Sequence, residues 1–422
     1  MSFRKRTGLG IGLLLVVAAS LFAQTPPSET QDWPQFLGPR RNGISTETGL
    51  IESWPADGLP VKWRVEGGVG MSGVAIRGGR ALTMVQRAGQ QWLVALNSDT
   101  GQQLWQTPIS SEYKNPMGDG PRATPTIASN TAYVYSGEGI LAAVNVADGK
   151  LLWSHDVVAD LKGKPADYGM ASSPLVAGEQ VIVQVGAPGA ALAAYHATTG
   201  KPLWTAGDDP AGYSSPTLLT VAGKPQIVAF TGASAIGVAP QTGAVLWRYP
   251  YVTDFDCNIA TPIADGGRVF LSAGENHGSV LLALAPQGEK FITQEVWKSQ
   301  GIKSVFRNEW QTSILLDGHL YGLDNVGSAG PVTHLVCLNA ATGAEVWREP
   351  RFGKSNLIAA DGKLFFSTMK GEVIVVRATP KGFEKLGGKA YLESTRQAPS
   401  LASGKLFLRD DREIVCLDAR RL

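Results

Sequence analysis

Residues 96–105 read LNSDTGQQLW, and the same phrase recurs along the chain. Each copy has an apolar run, then a turn that ends in glycine, then a short run that ends in tryptophan. Glycine at the end of such a turn tolerates the positive φ that a hairpin with a bulge requires. The phrase therefore predicts a β-hairpin closed by tryptophan, and the clear copies end at Trp105, Trp153, Trp204, Trp247 and Trp347.

Weaker copies of the phrase extend the series. One runs from residues 281–284 to Trp297 after a longer turn, and another runs from residues 373–376 to the stretch around Leu386, without tryptophan. Successive copies lie roughly 40 to 50 residues apart, which is the spacing of four-stranded propeller blades. Two further strands are predicted ahead of each hairpin, so that one copy corresponds to one blade.

The two ends of the series each offer one unpaired strand. Residues 60–65, PVKWRV, precede the first blade, whereas the strand from Ile414 ends the last blade without an outer neighbour. Pairing of these two strands would close the ring and leave no sheet edge between its ends. The sequence thus predicts an all-β, eight-bladed propeller of four-stranded antiparallel blades, closed by the N-terminal strand. A seven-bladed ring is the alternative, since two copies are degenerate.

The chain start is typical of export. A positive stretch at residues 4–6 precedes an apolar run at residues 8–22, which predicts a signal peptide over residues 1–23. An uncleaved membrane anchor is the alternative. Residues 24–57 then form a lead-in segment, and residues 58–422 form the propeller domain. The predicted location is periplasmic or secreted, with no membrane span after signal cleavage.

Composition narrows the function classes. Glycine accounts for 50 of 422 residues, well above the average of about 7%, which favours turn-rich β structure. The formal net charge of +2 gives no bulk attraction to nucleic acid, so no nucleic-acid partner is predicted. The odd number of cysteines, three, argues against a disulfide framework in an exported protein.

The phrase, written VALNSDTGQQLW at residues 94–105 and CLNAATGAEVW at residues 337–347, resembles the repeat of the pyrroloquinoline-quinone (PQQ)-type propellers. That family includes quinoprotein alcohol dehydrogenases and BamB-like proteins of outer-membrane assembly. The resemblance covers about residues 58–422 and is specific for the fold, not for quinone binding. The chain lacks the adjacent cysteine pair and the C-x-x-C-H haem motif of the redox relatives, so both departures disfavour an enzyme.

The start of each innermost strand should face the propeller mouth. Aligning these strands predicts a group of candidate ligand-binding residues there: Arg122, Tyr213, Asp256, Asn258, Glu309, Trp310, Lys354 and Arg396. The cations could hold carboxylates, as PQQ would present, and the aromatic residues could stack on a flat ring. One carboxylate–amide set resembles oxygen ligands for calcium: Asp256, Asn258 and Glu309. Alternatively, these charges pair with one another around a solvated funnel.

The favoured hypothesis is a non-catalytic, monomeric scaffold in the cell envelope. Rigid rims of loops suit recognition, so the predicted partners are envelope proteins or extended peptides that add to a blade edge. No catalytic residue, metal ligand or cofactor is assigned. The alternative function is a PQQ-dependent oxidoreductase with its site, and calcium, at the propeller mouth.

Overall fold

The computed structural model describes Met1, residues 31–327, residue 330 and residues 332–421. In these residues, 32 strands form eight antiparallel sheets of four strands each. Seven sheets use four consecutive strands, whereas the eighth combines β1 (Val61–Glu66) with the last three strands of the chain. The predicted eight-bladed propeller, closed by its N-terminal strand, is confirmed. Residues 2–23 of the predicted signal peptide lie outside the described residues.

Blades 1 to 4 follow one another along the first part of the chain, with their strands paired in chain order. Blade 1 comprises β2 (Ala75–Arg77), β3 (Arg80–Arg87), β4 (Gln90–Asn97) and β5 (Gln103–Ser111). Blade 2 comprises β6 (Thr126–Ala128), β7 (Thr131–Tyr135), β8 (Ile140–Asn145) and β9 (Leu151–Asp156). Blade 3 comprises β10 (Leu175–Ala177), β11 (Gln180–Ala187), β12 (Ala190–His196) and β13 (Pro202–Ala206). Blade 4 comprises β14 (Thr217–Val221), β15 (Lys224–Phe230), β16 (Ser234–Val238) and β17 (Val245–Pro250).

Blades 5 to 8 complete the ring, and the described residues also hold two short helices. Blade 5 comprises β18 (Ile263–Asp265), β19 (Arg268–Ala273), β20 (Gly278–Gln287) and β21 (Lys290–Gln300). Blade 6 comprises β22 (Ile314–Leu316), β23 (His319–Val326), β24 (Val332–Asn339) and β25 (Glu345–Glu349). Blade 7 comprises β26 (Ser355–Ala360), β27 (Lys363–Thr368), β28 (Glu372–Arg377) and β29 (Lys385–Ala390). Blade 8 comprises β30 (Ser400–Ala402), β31 (Lys405–Arg409), β32 (Glu413–Asp418) and β1. The helices are α1 (Val157–Asp160) and a 3-10 turn (Asp254–Asp256).

The repeated phrase forms the outer hairpin of a blade and also binds the preceding blade. Its turn glycine in blade 1, Gly101, has a φ of 74°, in the left-handed region that favours glycine. A Cβ atom at this position would lie 2.8 Å from the ring of Trp63 on β1. Nε1 of Trp63 also donates a hydrogen bond to the carbonyl oxygen of Ser98 in the same turn, at 3.1 Å. Glycine is therefore required for both the turn and the approach of the tryptophan ring.

The same contact links further blades into a girdle. Indole nitrogens donate to carbonyl oxygens in the turn of the next blade, at Val146, Ala197, Pro240, Ala340 and Thr379. Trp247 instead donates to Gln226 of its own blade, at 2.6 Å. Blade 5 replaces the short turn with the longer ribbon of β20 and β21, which explains why this indole has no turn partner.

The hydrophobic core is divided into layers between neighbouring blades. One cluster joins blades 1 and 2 through residues such as Leu82 and Val134, and another joins blades 6 and 7 through Leu323 and Phe366. The largest cluster joins blades 7, 8 and 1 to the lead-in segment. Because each layer needs both of its blades, the stability of the ring depends on its closure. No helix in the described residues has the length and hydrophobicity of a membrane span.

The lead-in segment, described from Gln31, belongs to the same compact unit as the propeller. It crosses the ends of the innermost strands that lie opposite the mouth. Trp33 exchanges two backbone hydrogen bonds with Ile76 of blade 1, at 2.8 and 2.9 Å. Ile127 of blade 2 donates to Pro34, and Ala359 of blade 7 donates to Gly43, both at 2.8 Å. The lead-in therefore plugs one end of the central channel.

A buried arginine anchors this plug. The Arg41 guanidinium, in a residue that is 4% exposed, donates to the carbonyl oxygens of Pro174 and Ser173 in the approach to blade 3, at 2.7 and 2.8 Å. Burial lowers the pKa of Arg41 to about 9. Because no carboxylate partner is recorded for it in the described residues, its hydrogen bonds to the carbonyls must offset the cost of desolvation.

We expect Arg41→Ala to lower the free energy of unfolding by about 2–3 kcal/mol. Hydrogen bonds from a charged donor contribute about 1.5–3 kcal/mol each, and the variant no longer has to bury a charged guanidinium, which offsets part of their loss. Urea unfolding of the purified protein measures the change. Its neighbour Arg40 is exposed, so Arg40→Ala is the matched control and should stay within about 0.5 kcal/mol of wild type. Equal effects of the two substitutions would show that Arg41 does not anchor the plug.

Candidate functional site

A cavity of about 200 Å³ lies on the propeller axis. Its walls come from the approaches to the innermost strands of different blades, and its floor comes from the lead-in. Four of the predicted mouth residues line it: Arg122, Tyr213, Trp310 and Arg396. Residues that sequence reasoning missed complete the lining, among them Trp33, Phe36, Leu37, Met117 and Tyr168. Trp33, Phe36 and Leu37 lie close together in a segment rich in proline and glycine. This group of apolar residues was the signal in the sequence for a buried plug.

The Arg122 guanidinium is committed to the local backbone. Its Nε donates to the carbonyl oxygen of Tyr168 at 2.7 Å, and its two terminal nitrogens donate to the carbonyl oxygens of Gly118 and Gly120. The guanidinium carbon lies 4.5 Å from the centre of the Tyr113 ring. Burial lowers the pKa of Arg122. This cation therefore organises the loop between blades 1 and 2, and all three nitrogens already have acceptors.

Arg396 is different, because it is exposed at the rim of the cavity. One terminal nitrogen, Nη1, donates to the carbonyl oxygen of Met117 at 2.6 Å. Within the described part of the chain, no hydrogen-bond acceptor is recorded for Nε or Nη2. The guanidinium carbon lies 5.7 Å from the centre of the Trp310 ring. Arg396 can therefore receive an anion while one of its nitrogens holds it in place.

Two tyrosines form the opposite part of the wall. The rings of Tyr168 and Tyr213 stack with centroids 5.7 Å apart, and the Tyr213 hydroxyl accepts a hydrogen bond from the backbone nitrogen of Tyr168 at 3.2 Å. Burial raises the pKa of Tyr213, so the phenol stays neutral at physiological pH. Tyr168 also contacts Phe255, at a centroid distance of 6.3 Å. The wall of the cavity therefore continues into the exposed loop that contains Phe255.

Glu309 and Lys354 form an ion pair beside the cavity. Lys354 Nζ donates to Glu309 Oε1 at 2.9 Å and lies 4.5 Å from the centre of the Trp310 ring. Burial raises the pKa of Glu309, while Lys354 opposes that shift. These two predicted charges therefore pair with each other. For Glu309 and Lys354, this agrees with the alternative expectation that the charges at the mouth pair around a solvated funnel.

Asn258 and Asp256, like Glu309 and Lys354, are not in the cavity lining. Asn258 is fully buried, and its amide nitrogen donates to the carbonyl oxygens of Thr231 and Tyr251 at 2.7 and 2.9 Å. Its amide oxygen accepts from the Thr253 hydroxyl at 3.2 Å. Asp256, two positions earlier in the same loop, is half-buried, and burial raises its pKa. Asn258 therefore holds the loop from inside.

The calcium set suggested by the sequence does not fit an ion as the side chains are arranged. The Asn258 oxygen already has a donor, and Glu309 is paired with Lys354. No group of three or more histidine, cysteine, aspartate or glutamate side chains in the described residues is placed to hold a metal. Each nitrogen of Arg122 already donates to a backbone carbonyl, so that three of its five N–H groups are engaged.

Eight four-stranded blades, indoles that bridge them and a plugged axial cavity define a β-propeller of the PQQ-repeat type. The chain belongs to the family described as "Outer membrane protein assembly factor BamB", whose model matches residues 89–349. The resemblance to this superfamily, inferred from the repeated phrase, is confirmed.

Individual relatives show the same relationship. The outer membrane protein assembly factor BamB of Shewanella oneidensis is 30% identical over 115 residues, a match that spans 26% of this chain and 26% of that protein. Among solved structures, the quinohemoprotein alcohol dehydrogenase from Comamonas testosteroni has a TM-score of 0.64 at 14% identity, covering 94% of this chain and 82% of that one. BamB from Moraxella catarrhalis has a TM-score of 0.58 at 13% identity, covering 85% and 99%. At these identities the solved structures show the fold alone.

Proposed function

We propose that the protein is an exported, non-catalytic scaffold that binds a protein partner in the cell envelope through the loops on its mouth face. The observation that carries the proposal is a set of exposed apolar side chains on two loops that hydrogen bonds link to each other. Ile302, Val252 and Phe255 are 83%, 67% and 63% exposed, the largest fractions among the exposed apolar side chains of the described residues that follow Met1. Isolated exposed apolar residues are common, whereas a contiguous group is typical of a binding surface.

These three residues border one surface, which we call the loop surface. Val252 and Phe255 lie between β17 and β18, and Ile302 follows β21. His277 bridges the two loops: its Nε2 accepts from the backbone nitrogen of Asp254 at 3.3 Å, and its carbonyl oxygen accepts from Gly301 at 3.4 Å. The exposed side chains are therefore held on neighbouring loops that are linked by hydrogen bonds.

The backbone of the loop surface is strained. Phe255 and Asp256 have φ values of 57° and 55°, in the left-handed region that residues with a Cβ rarely adopt. Each such residue costs of order 1–3 kcal/mol, and such strain is concentrated at binding sites and other functional sites. An exposed aromatic ring on a backbone of this kind supports a role in recognition.

Extended peptides are a narrower class of partner within the same proposal. The outermost strand of each blade pairs on one side only, and β21 is the longest of these strands, with 11 residues. Its exposed side chains include Ile292 and Val296. An added strand would pair with the free backbone groups of β21, as in other complexes formed by strand addition. The hydrogen bonds that engage Arg122 and Asn258 within the chain do not support the oxidoreductase alternative.

The double substitution Phe255→Ser with Ile302→Ser should reduce partner capture at least about tenfold, because buried apolar anchors commonly contribute 1 kcal/mol or more each to binding. A photo-crosslinking residue at position 302, introduced into the full chain in its native host, identifies the partner. Quantitative co-purification of that partner then compares the variants. Thermal melting should be unchanged within a few degrees, since both side chains are exposed.

The matched control is Leu104→Ser with Leu203→Ser, which removes two exposed apolar side chains from outermost strands. This control should retain wild-type capture. Wild-type capture by the loop-surface variant would contradict the proposed surface. Recovery of the protein in the cytoplasm with residues 1–23 attached would contradict export.

A further inference from the structure

The axial cavity has the form of a blind pocket. The lead-in closes its floor with Trp33, Phe36 and Leu37, so that entry is from the mouth face. Trp33 is 2% exposed and Leu37 is 3% exposed, which shows that the floor is tightly packed. A dead end on the axis can hold a ligand group but cannot pass a solute through the ring.

The body of the pocket is apolar and small. Its walls include Met71, Ile259, Pro399 and the ring of Trp310. An apolar cavity of about 150 Å³ in a protein interior is large enough to bind benzene, whereas pockets for drug-sized molecules are roughly 300–1,000 Å³. A volume of about 200 Å³ therefore suits a single ring or a branched alkyl group.

The rim of the pocket is suited to one anion. Arg396 is exposed there, and no acceptor is recorded for its Nε and Nη2 within the described residues. Arg122 is engaged with three backbone carbonyls, and Glu309 is paired with Lys354. Three carboxylates line a neighbouring cavity together with Arg396, and each accepts a hydrogen bond from a backbone nitrogen: Asp119, Asp410 and Asp411. Two adjacent guanidinium nitrogens match the two oxygens of a carboxylate.

We propose that the axial pocket binds a ring-sized apolar group that carries a carboxylate, with the group on the Trp33–Phe36–Leu37 floor and the carboxylate against Arg396. This chemistry has two sources, the C-terminal residue of a polypeptide and a small aromatic acid. The inference goes beyond the proposed function, because it concerns the pocket and not the loop surface.

Calorimetric titration of the purified chain with N-acetyl-phenylalanine and with its C-terminal amide tests the carboxylate. The acid should bind at least about tenfold more tightly than the amide, because a charge-assisted pair of hydrogen bonds is lost in the amide. Arg396→Gln should weaken binding of the acid at least about tenfold and leave binding of the amide unchanged. Arg40→Gln, at an exposed arginine of the lead-in, should bind both probes as wild type does.

Two further arms identify the source and the site. A tetrapeptide that ends in phenylalanine with a free carboxylate should bind more tightly than the single amino acid if the ligand is a polypeptide terminus. Equal affinities support a small acid.

Ala171→Leu, which fills space at the pocket wall, should abolish binding of every probe. A Val252→Ser and Ile302→Ser variant, which keeps Phe255 and its contact with Tyr168, should bind the probes normally, so that the pocket and the loop surface are tested independently. Equal affinity for acid and amide, an Arg396→Gln variant that binds like wild type, or no binding of the acid would overturn the inference.

Discussion

Deletion of residues 60–65 should abolish the cooperative unfolding transition of the protein. The deleted segment contains most of β1, which pairs with β32 through Trp63 opposite Cys416 and Val65 opposite Ile414. Without β1, blade 8 keeps three strands and exposes the edge of β32. Truncation of a core tryptophan alone costs about 3–5 kcal/mol, while whole domains are stable by only about 5–15 kcal/mol. The combined loss of the strand and of Trp63 therefore exceeds what the ring can tolerate.

Circular dichroism melting and size-exclusion chromatography measure this effect. Trp63→Ala separates the side chain from the strand and should lower the free energy of unfolding by about 3–5 kcal/mol. Val61→Ser on the same strand is the control, since Val61 is half-exposed, and it should stay within about 0.5 kcal/mol of wild type. A deletion variant that melts cooperatively within a few degrees of wild type would disprove closure by β1 as the main source of ring stability.

Trp33→Ala should also destabilise the protein by about 3–5 kcal/mol. Trp33 is 2% exposed, packs in the cluster that joins blades 7, 8 and 1, and exchanges backbone hydrogen bonds with Ile76. The substitution leaves a void where the lead-in closes the channel, and a void of that size cannot be refilled by the neighbouring side chains. The same change removes part of the pocket floor, so probe binding should weaken as well.

Guanidinium-chloride unfolding measures the change in stability. Phe255→Ala is the control, because it also removes an aromatic ring but at an exposed position. The control should unfold within about 0.5 kcal/mol of wild type. If the two variants differ by less than about 1 kcal/mol, the lead-in is a surface appendage and not a structural plug.

The number and boundaries of the blades could be predicted because the information is local. Each phrase combines strand-forming residues, a turn glycine and a tryptophan within about ten residues, and such hairpins form from neighbouring residues. The ring closure followed from two unpaired ends, since a strand with a free edge requires a partner. The glycine–tryptophan contact between blades was not visible in the repeat, because Gly101 and Trp63 lie 38 residues apart and meet only after two blades pack.

The sequence indicated which residues lie near the propeller axis, but not which of their polar groups are already engaged in hydrogen bonds. Alignment of the innermost strands placed Arg122, Tyr213, Trp310 and Arg396 near the axis, where the structure finds them in the cavity lining. The two arginines look alike in the sequence, yet one is engaged with three backbone carbonyls and the other keeps donors unused. The acceptors of Arg122 are carbonyl groups of loops, and loop carbonyls have no signature in a sequence.

By itself, the sequence determined that the chain forms eight similar blades joined head to tail, because turn and strand preferences act over a few residues and recur with a constant period. Only the tertiary structure decided that residues 31–57 cross the axis, that Trp33 floors a pocket and that Asn258 points inward. Those outcomes depend on side chains and carbonyl groups from distant blades, which become neighbours only when the ring closes and water is excluded from the axis.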